Sequence, residues 1–197
     1  MRATVSRILP PRWTTLRTLS KGRVISMDSS IDIKAVIRSQ YLAALVMLRE
    51  IVTRCPEQLW HTPETQNQFW HIAYHTLFYT HLYLHRSETD FAPWPKHRDE
   101  YESLGPLPWP PYRSPNIGAP YSSEDILEYL DYCRGEIINK VADLELASNS
   151  GFSWLPFSKL ELQFYNIRHL QHHVGELAER LGTQAGIDVA WVGTGAE

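Results

Sequence analysis

The chain has 197 residues, 43% hydrophobic and 21% charged, a composition near the globular average that excludes wholesale disorder and suits one domain of ordinary size. Its 19 basic and 22 acidic side chains leave a net charge of −3, which gives no electrostatic footprint for nucleic acid or an anionic membrane surface. Two cysteines, Cys55 and Cys133, are too few for a disulfide scaffold or a cysteine-based zinc finger and fit a reducing compartment, and no apolar run approaches the ~20 residues needed to cross a bilayer.

Residues 1–26 stand apart. They carry Arg2, Arg7, Arg12, Arg17 and Arg23, with no acid before Asp28. Such a segment reads as translated upstream sequence ahead of a start at Met27, which leaves the protein cytoplasmic, or as an organellar transit peptide. Either way it is expected to be poorly ordered and outside the fold. The expected organisation is an extension (1–26), a helical domain (27–182) and a C-terminal tail (183–197), from which Ile187, Val189 and Trp191 could tuck against the domain.

Four segments show helical periodicity. The first, about 31–53, repeats Ile37, Tyr41, Ala44, Leu45, Leu48, Ile51 and Val52 at three- and four-residue steps, and Pro56 stops it. The second, about 66–84, stacks His71, His75, Phe78 and Leu82 along one line. The third starts at Ser122 or Ser123 with acids in its first turn and runs through Ile126, Leu130, Cys133, Ile137 and Val141. The fourth opens on the capping box Ser158–Glu161 and is expected to end at Leu181, with Gly182 just beyond. Nothing reads clearly as a strand, so the fold class is all-α, a four-helix bundle. Between the second and third helices, residues 86–120 contain eight prolines, which bar helix and central strand alike. The aromatic content of this loop (Phe91, Trp94, Tyr101, Trp109, Tyr112) argues that it packs on the bundle. Two readings stay open: a lid over one end, or a wrapped linker that completes the core.

Histidine carries the functional signal. His71/His75, His81/His85 and His169/His173 are each four residues apart, so each pair shares a helical face and its two imidazoles can reach one cation. Nine histidines placed at random would give about 0.4 such pairs. His71 shares its stripe with Phe78 and Leu82 and is expected to face inward. His81 and His85 read as a solvated or packing pair. His169 and His173 lie beside the apolar arc Ile167, Leu170, Val174, Leu177 and Leu181, in a polar line with Asn166, Glu176 and Arg180. That line is either a solvated face or the lining of a cavity between helices. A site of His71, His169 and His173 would supply three neutral imidazoles suited to zinc, nickel or iron and leave a position open for water or substrate. Leu170 follows His169, so the zinc-protease His-Glu-x-x-His is absent; so are Glu-x-x-His, Gly-rich phosphate loops and Gly-x-Ser-x-Gly elbows.

The sequence resembles the DinB/YfiT-like superfamily of metal-dependent enzymes. His71-Ile-Ala is similar to the family's His-Leu-Ala, and His169-Leu-Gln-His-His-Val-Gly-Glu-Leu177 to its His-x-x-His-His-Arg-Gly-Gln-Leu. The long variable connection between helices two and three is shared, and the similarity covers about residues 30–182. The resemblance implies an up-down-down-up bundle, metal ligation by His71, His169 and His173, no ligation by His172, and pairing of two copies through helices. Val174 and Glu176 depart from the family's Arg and Gln. Family activities include transferases that use a low-molecular-weight thiol and a thiol-dependent maleylpyruvate isomerase. The expectation is therefore a metal-dependent enzyme acting on a small-molecule substrate, a thiol-dependent S-transferase or a hydrolase. The alternative is a non-catalytic metal- or ligand-binding helical module. No residue declares itself as catalytic acid or base: Glu176 either steers a ligand imidazole or is an exposed helix acid, and Tyr74 and Tyr79 read as core aromatics.

Overall fold

In the computed structural model, residues 31–62 and 67–196 are described; the expected 1–26 extension lies outside them. The first helix, α1 (Ile33–Arg54), starts where the Asp32 carboxylate accepts the Lys34 and Ala35 backbone N–H groups, both at 3.1 Å. It stops ahead of Pro56, which has no N–H to continue the ladder. Pro56 instead caps a one-turn helix, α2 (Glu57–Trp60), that hydrophobic periodicity does not announce. This turn buries Trp60, whose indole N–H donates to the Tyr121 carbonyl at 3.0 Å. The next helix, α3 (Phe69–Leu82), is buried nearly all round. A capping box between Ser122 and Asp125 opens α4 (Ser123–Lys140).

The last helix, α5 (Lys159–Ala185), is capped by the Ser158 hydroxyl, which accepts the Glu161 N–H at 3.2 Å, one half of the expected capping box. It does not end at Gly182. Thr183, Gln184 and Ala185 carry it one turn further, and the Gly182 carbonyl accepts the Gly186 N–H at 3.0 Å. The left-handed residue that closes the helix is Gly186, at φ +67°. Among the described residues the only extended pairing is an isolated bridge between Asn149 and Ser158.

Polar contacts between helices fix their directions. Thr80 pairs with Asn166 and Tyr83 with Gln163, while Asn67 meets Arg180, so α3 and α5 run antiparallel. Leu77 meets Cys133 and His81 meets Glu136, so α3 and α4 run parallel. Lys34 reaches Ala142 and Arg49 reaches Asp131, which sets α1 against α4; Tyr41–Gln163 and Arg54–Asp188 set α1 along α5. The result is an up-down-down-up bundle in which α1 and α3 occupy one diagonal and each packs on both α4 and α5.

Parallel α3 and α4 explain the long connection, because the chain must return the length of the bundle, about 27 Å for an 18-residue helix. That connection packs. Trp94, Tyr101 and Leu107 are buried, and Trp94 stacks on Tyr129 with ring centroids 4.6 Å apart. Its far bend is open, with Trp109 49% and Tyr112 65% exposed. At the core, Leu170, Val174, Leu177 and Leu181 of α5 are fully buried, and truncating one such leucine to alanine costs about 2–5 kcal/mol. In the tail, Ile187 and Val189 pack on this core, whereas Trp191 is 71% exposed. The Gly195 N–H donates to the Ser39 carbonyl at 3.1 Å, and a Cβ there would collide with the α1 backbone at Ala43.

Candidate metal centre

The polar line of α5 faces α3, not solvent. Asn166 is fully buried and donates to the Thr80 carbonyl at 3.1 Å. One turn further along, His169 and His173 meet an imidazole from α3, and that imidazole belongs to His75. One ligand-type atom from each of His75, His169 and His173 falls within 4.8 Å of the others. Nε2 of His75 lies 3.1 Å from Nε2 of His169, and the three ring centroids are 4.7–5.0 Å apart.

His71, expected in this set from the sequence, is not brought into it. His71 Nε2 donates to the Tyr101 backbone carbonyl at 2.8 Å, and its ring lies 5.0 Å from that of Trp70. With Nε2 engaged on the loop, the ring pins residues 86–120 to α3. His75, passed over in the sequence, is one turn beyond and directed at α5. Its signal was available in the i,i+4 relation to His71, since two histidines of one face are candidates together.

Hydrogen bonding sets the tautomers. A carbonyl only accepts, so the 2.6 Å contact between His75 Nδ1 and the Glu102 carbonyl is an N–H donation, and Nε2 of the neutral ring bears the lone pair. His173 repeats the arrangement on a carboxylate: Nδ1 lies 2.9 Å from Glu176 Oε2, which leaves Nε2 free. Arg180 holds that carboxylate by donating to its other oxygen at 2.7 Å, and donates also to the Asn67 carbonyl at 2.8 Å. Glu176, 32% exposed, thus orients the His173 imidazole. For His169, Nδ1 is buried without a hydrogen-bond partner.

Burial disfavours the charged imidazole and moves the histidines down, His75 to about 3 and His169 to about 4; His173 is lowered by the same cause against the opposing pull of Glu176. Three uncharged rings therefore meet: His75 and His173 present Nε2 lone pairs, and His169, whose Nε2–H donates to His75, presents one when its proton moves to the unpartnered Nδ1. Zinc–nitrogen bonds of 2.0–2.1 Å at the tetrahedral angle separate nitrogens by about 3.3 Å, close to the 3.1 Å between His75 and His169. The residues fit a divalent cation.

Tyr79 walls the cluster, its ring 4.8 Å from His75 and 5.5 Å from His169. Tyr74 is a core aromatic, its hydroxyl 2.6 Å from His97 Nδ1. Glu102 was not singled out in the sequence. Its Oε2 is buried without a partner, and burial raises its pKa. Beside His71, one turn from His75, opens a cleft of about 450 Å³ lined in part by Asn67, Trp70, Ser103 and Ile117. Exposed His172 forms a further grouping with His173 and Glu176.

An up-down-down-up helical bundle with a three-histidine cluster between two of its helices defines the class of protein. The chain belongs to the DinB superfamily, whose family model matches residues 40–177. No curated protein and no solved structure gives a match. Among the described residues no helix is long and apolar enough to cross a membrane.

Proposed function

We propose that this protein is a metal-dependent enzyme holding one divalent cation, zinc or nickel with iron as the third choice, on Nε2 of His75, His169 and His173. The carrying observation is the approach of the His75 and His169 Nε2 atoms to 3.1 Å between two half-buried, uncharged rings. When bound by three protein ligands, such an ion keeps an open position and acidifies a water or thiol there. The reaction class this supports is transfer of, or hydrolysis by, that activated group: a thiol-dependent S-transferase using a low-molecular-weight thiol, or a hydrolase.

The chain's own residues contribute orientation and exclusion. The Glu102 carbonyl and the Glu176 carboxylate fix the ring planes of His75 and His173 and raise the basicity of their Nε2 atoms. Tyr79 and the packed loop keep bulk water from one side. The cleft beside His71 has the size of a small-molecule site.

The test is metal analysis of full-length protein purified without a His tag. About one equivalent of tightly held metal is expected that disappears in His75→Ala and persists in His71→Ala. Screening thiols with electrophilic substrates then follows on the loaded protein. Metal content that is negligible, or indifferent to both His75→Ala and His169→Ala, overturns the reading.

A further inference from the structure

A second convergence of ligand-type atoms lies toward the other end of α3, about 9 Å along the helix axis from His75. His81 Nε2 is 3.6 Å from Glu136 Oε2, and His85 Nε2 is 3.8 Å from the same oxygen. All three ligand atoms lie within 4.8 Å of one another. The His81 side chain is fully buried, and its Nε2 has no hydrogen-bond partner.

The tautomer at His85 is fixed. Its Nδ1 lies 3.1 Å from the His81 carbonyl, which can only accept, so Nε2 of the neutral ring carries a lone pair directed toward a carboxylate oxygen. His81 Nδ1 is 3.3 Å from the Tyr129 hydroxyl, which leaves its Nε2 as the atom facing Glu136. Burial keeps both rings below the ordinary imidazole range, His81 at about 3. Two uncharged imidazoles and a carboxylate thus gather without a hydrogen bond among them. Lys140 stands 3.3 Å from Glu136 Oε2 and answers the carboxylate, yet it leaves the buried His81 nitrogen unpartnered. An orphaned buried nitrogen is destabilising unless something satisfies it.

We propose that His81, His85 and Glu136 form a second divalent-metal site, of the zinc class, that clamps the end of α3 to α4. Two imidazoles and one carboxylate are a donor set that zinc accepts, with one position left for water. Bonds of 2.0–2.2 Å at the tetrahedral angle separate ligand atoms by about 3.3–3.6 Å, so the two histidine–carboxylate distances stand within a few tenths of an ångström of ligation. Access is from the α4 side, where Glu136 is 19% exposed. Phe91, from the start of the 86–120 loop, lies 4.9 Å from the His81 ring and 5.1 Å from the His85 ring, so the clamp also fixes where the loop departs. Lys140 competes with the metal for Glu136 and tunes the affinity down.

The test is titration of cobalt(II), then zinc, into metal-free full-length protein without a His tag, read by visible absorption and calorimetry, with the fold of each variant checked by far-UV circular dichroism. Wild type is expected to take up two equivalents, Glu136→Gln to lose one, and His75→Ala to lose the other. Lys140→Met is expected to tighten the Glu136-dependent equivalent about tenfold by removing the competing ammonium. One equivalent that is insensitive to His75→Ala but lost in Glu136→Gln would uphold this site while removing the first. The proposal falls if no equivalent in wild type or Lys140→Met depends on Glu136.

Discussion

Each end of α3 is marked by histidines four residues apart, with His85 in the turn just beyond Leu82, and the two pairs are used differently. At one end a single member of the pair, His75, joins His169 and His173 while His71 bonds the Tyr101 carbonyl. At the other, His81 and His85 both face Glu136, with an ammonium already beside that carboxylate. Spacing alone treats the pairs as equals. What separates them is where each second ring nitrogen goes and whether a positive charge stands nearby. The first end offers three uncharged rings with two Nδ1 groups pinned on oxygen, and the second offers a weaker set under competition from Lys140.

The sharpest break of this comparison is His75→Ala. It should abolish tight metal uptake at the α5 end and leave the Glu136-dependent equivalent in place, read by metal stoichiometry; loss of both would show one coupled centre. Acid acts on both ends of the metal-free protein. The unfolded chain protonates these histidines near pH 6.5, whereas the fold keeps His75 and His81 uncharged down to about 3 and His169 down to about 4. Between those limits the unfolded state binds more protons, so stability present at neutral pH is lost as pH falls below about 6.5 and levels off once the folded-state values are passed. Urea unfolding at pH 7 and pH 5 should show the drop, with at most about 1.4 kcal/mol per pH unit for each histidine. A flat profile would contradict burial of uncharged rings.

Smaller effects separate the residues around the α5 end. Glu176→Gln removes the charge that orients His173 and should weaken metal affinity about 10–100-fold, measured with a chelator competition series. His71→Ala should leave that affinity unchanged. It orphans the Tyr101 carbonyl and should instead speed proteolytic nicking within 86–120; a loss of metal would return His71 to the ligand set.

Much of the architecture was legible in the sequence because capping and periodicity are local. Asp125 and Glu161 fall where the Ser122 and Ser158 caps need them, and the stripe from Ile37 to Val52 is the buried face of α1. The choice between His71 and His75 was not. On a helix buried nearly all round, as α3 is, hydrophobic stripes do not indicate direction. The choice depends on the Tyr101 and Glu102 carbonyls, roughly thirty residues away along a proline-rich path whose course no periodicity encodes. The inward turn of the α5 polar line likewise needed its partners, since Asn166, His173 and Glu176 on an isolated helix read equally as a wet face. The end of α5 was misplaced because a glycine inside a helix and a glycine closing one look alike until φ is known.

The diagonal placement of α1 and α3 has a consequence for how the chain holds together. Neither helix packs chiefly on the other, so the half that precedes the exposed bend at Trp109–Arg113 depends on α4 and α5 to cover both of its long helices. Cleavage at that bend would separate α1 and α3 from the helices they pack on, and the cluster of His75 with His169 and His173 would re-form only in the complex of the two fragments. The protein is in that sense a natural candidate for splitting into a reporter whose reassembly is read out by metal capture.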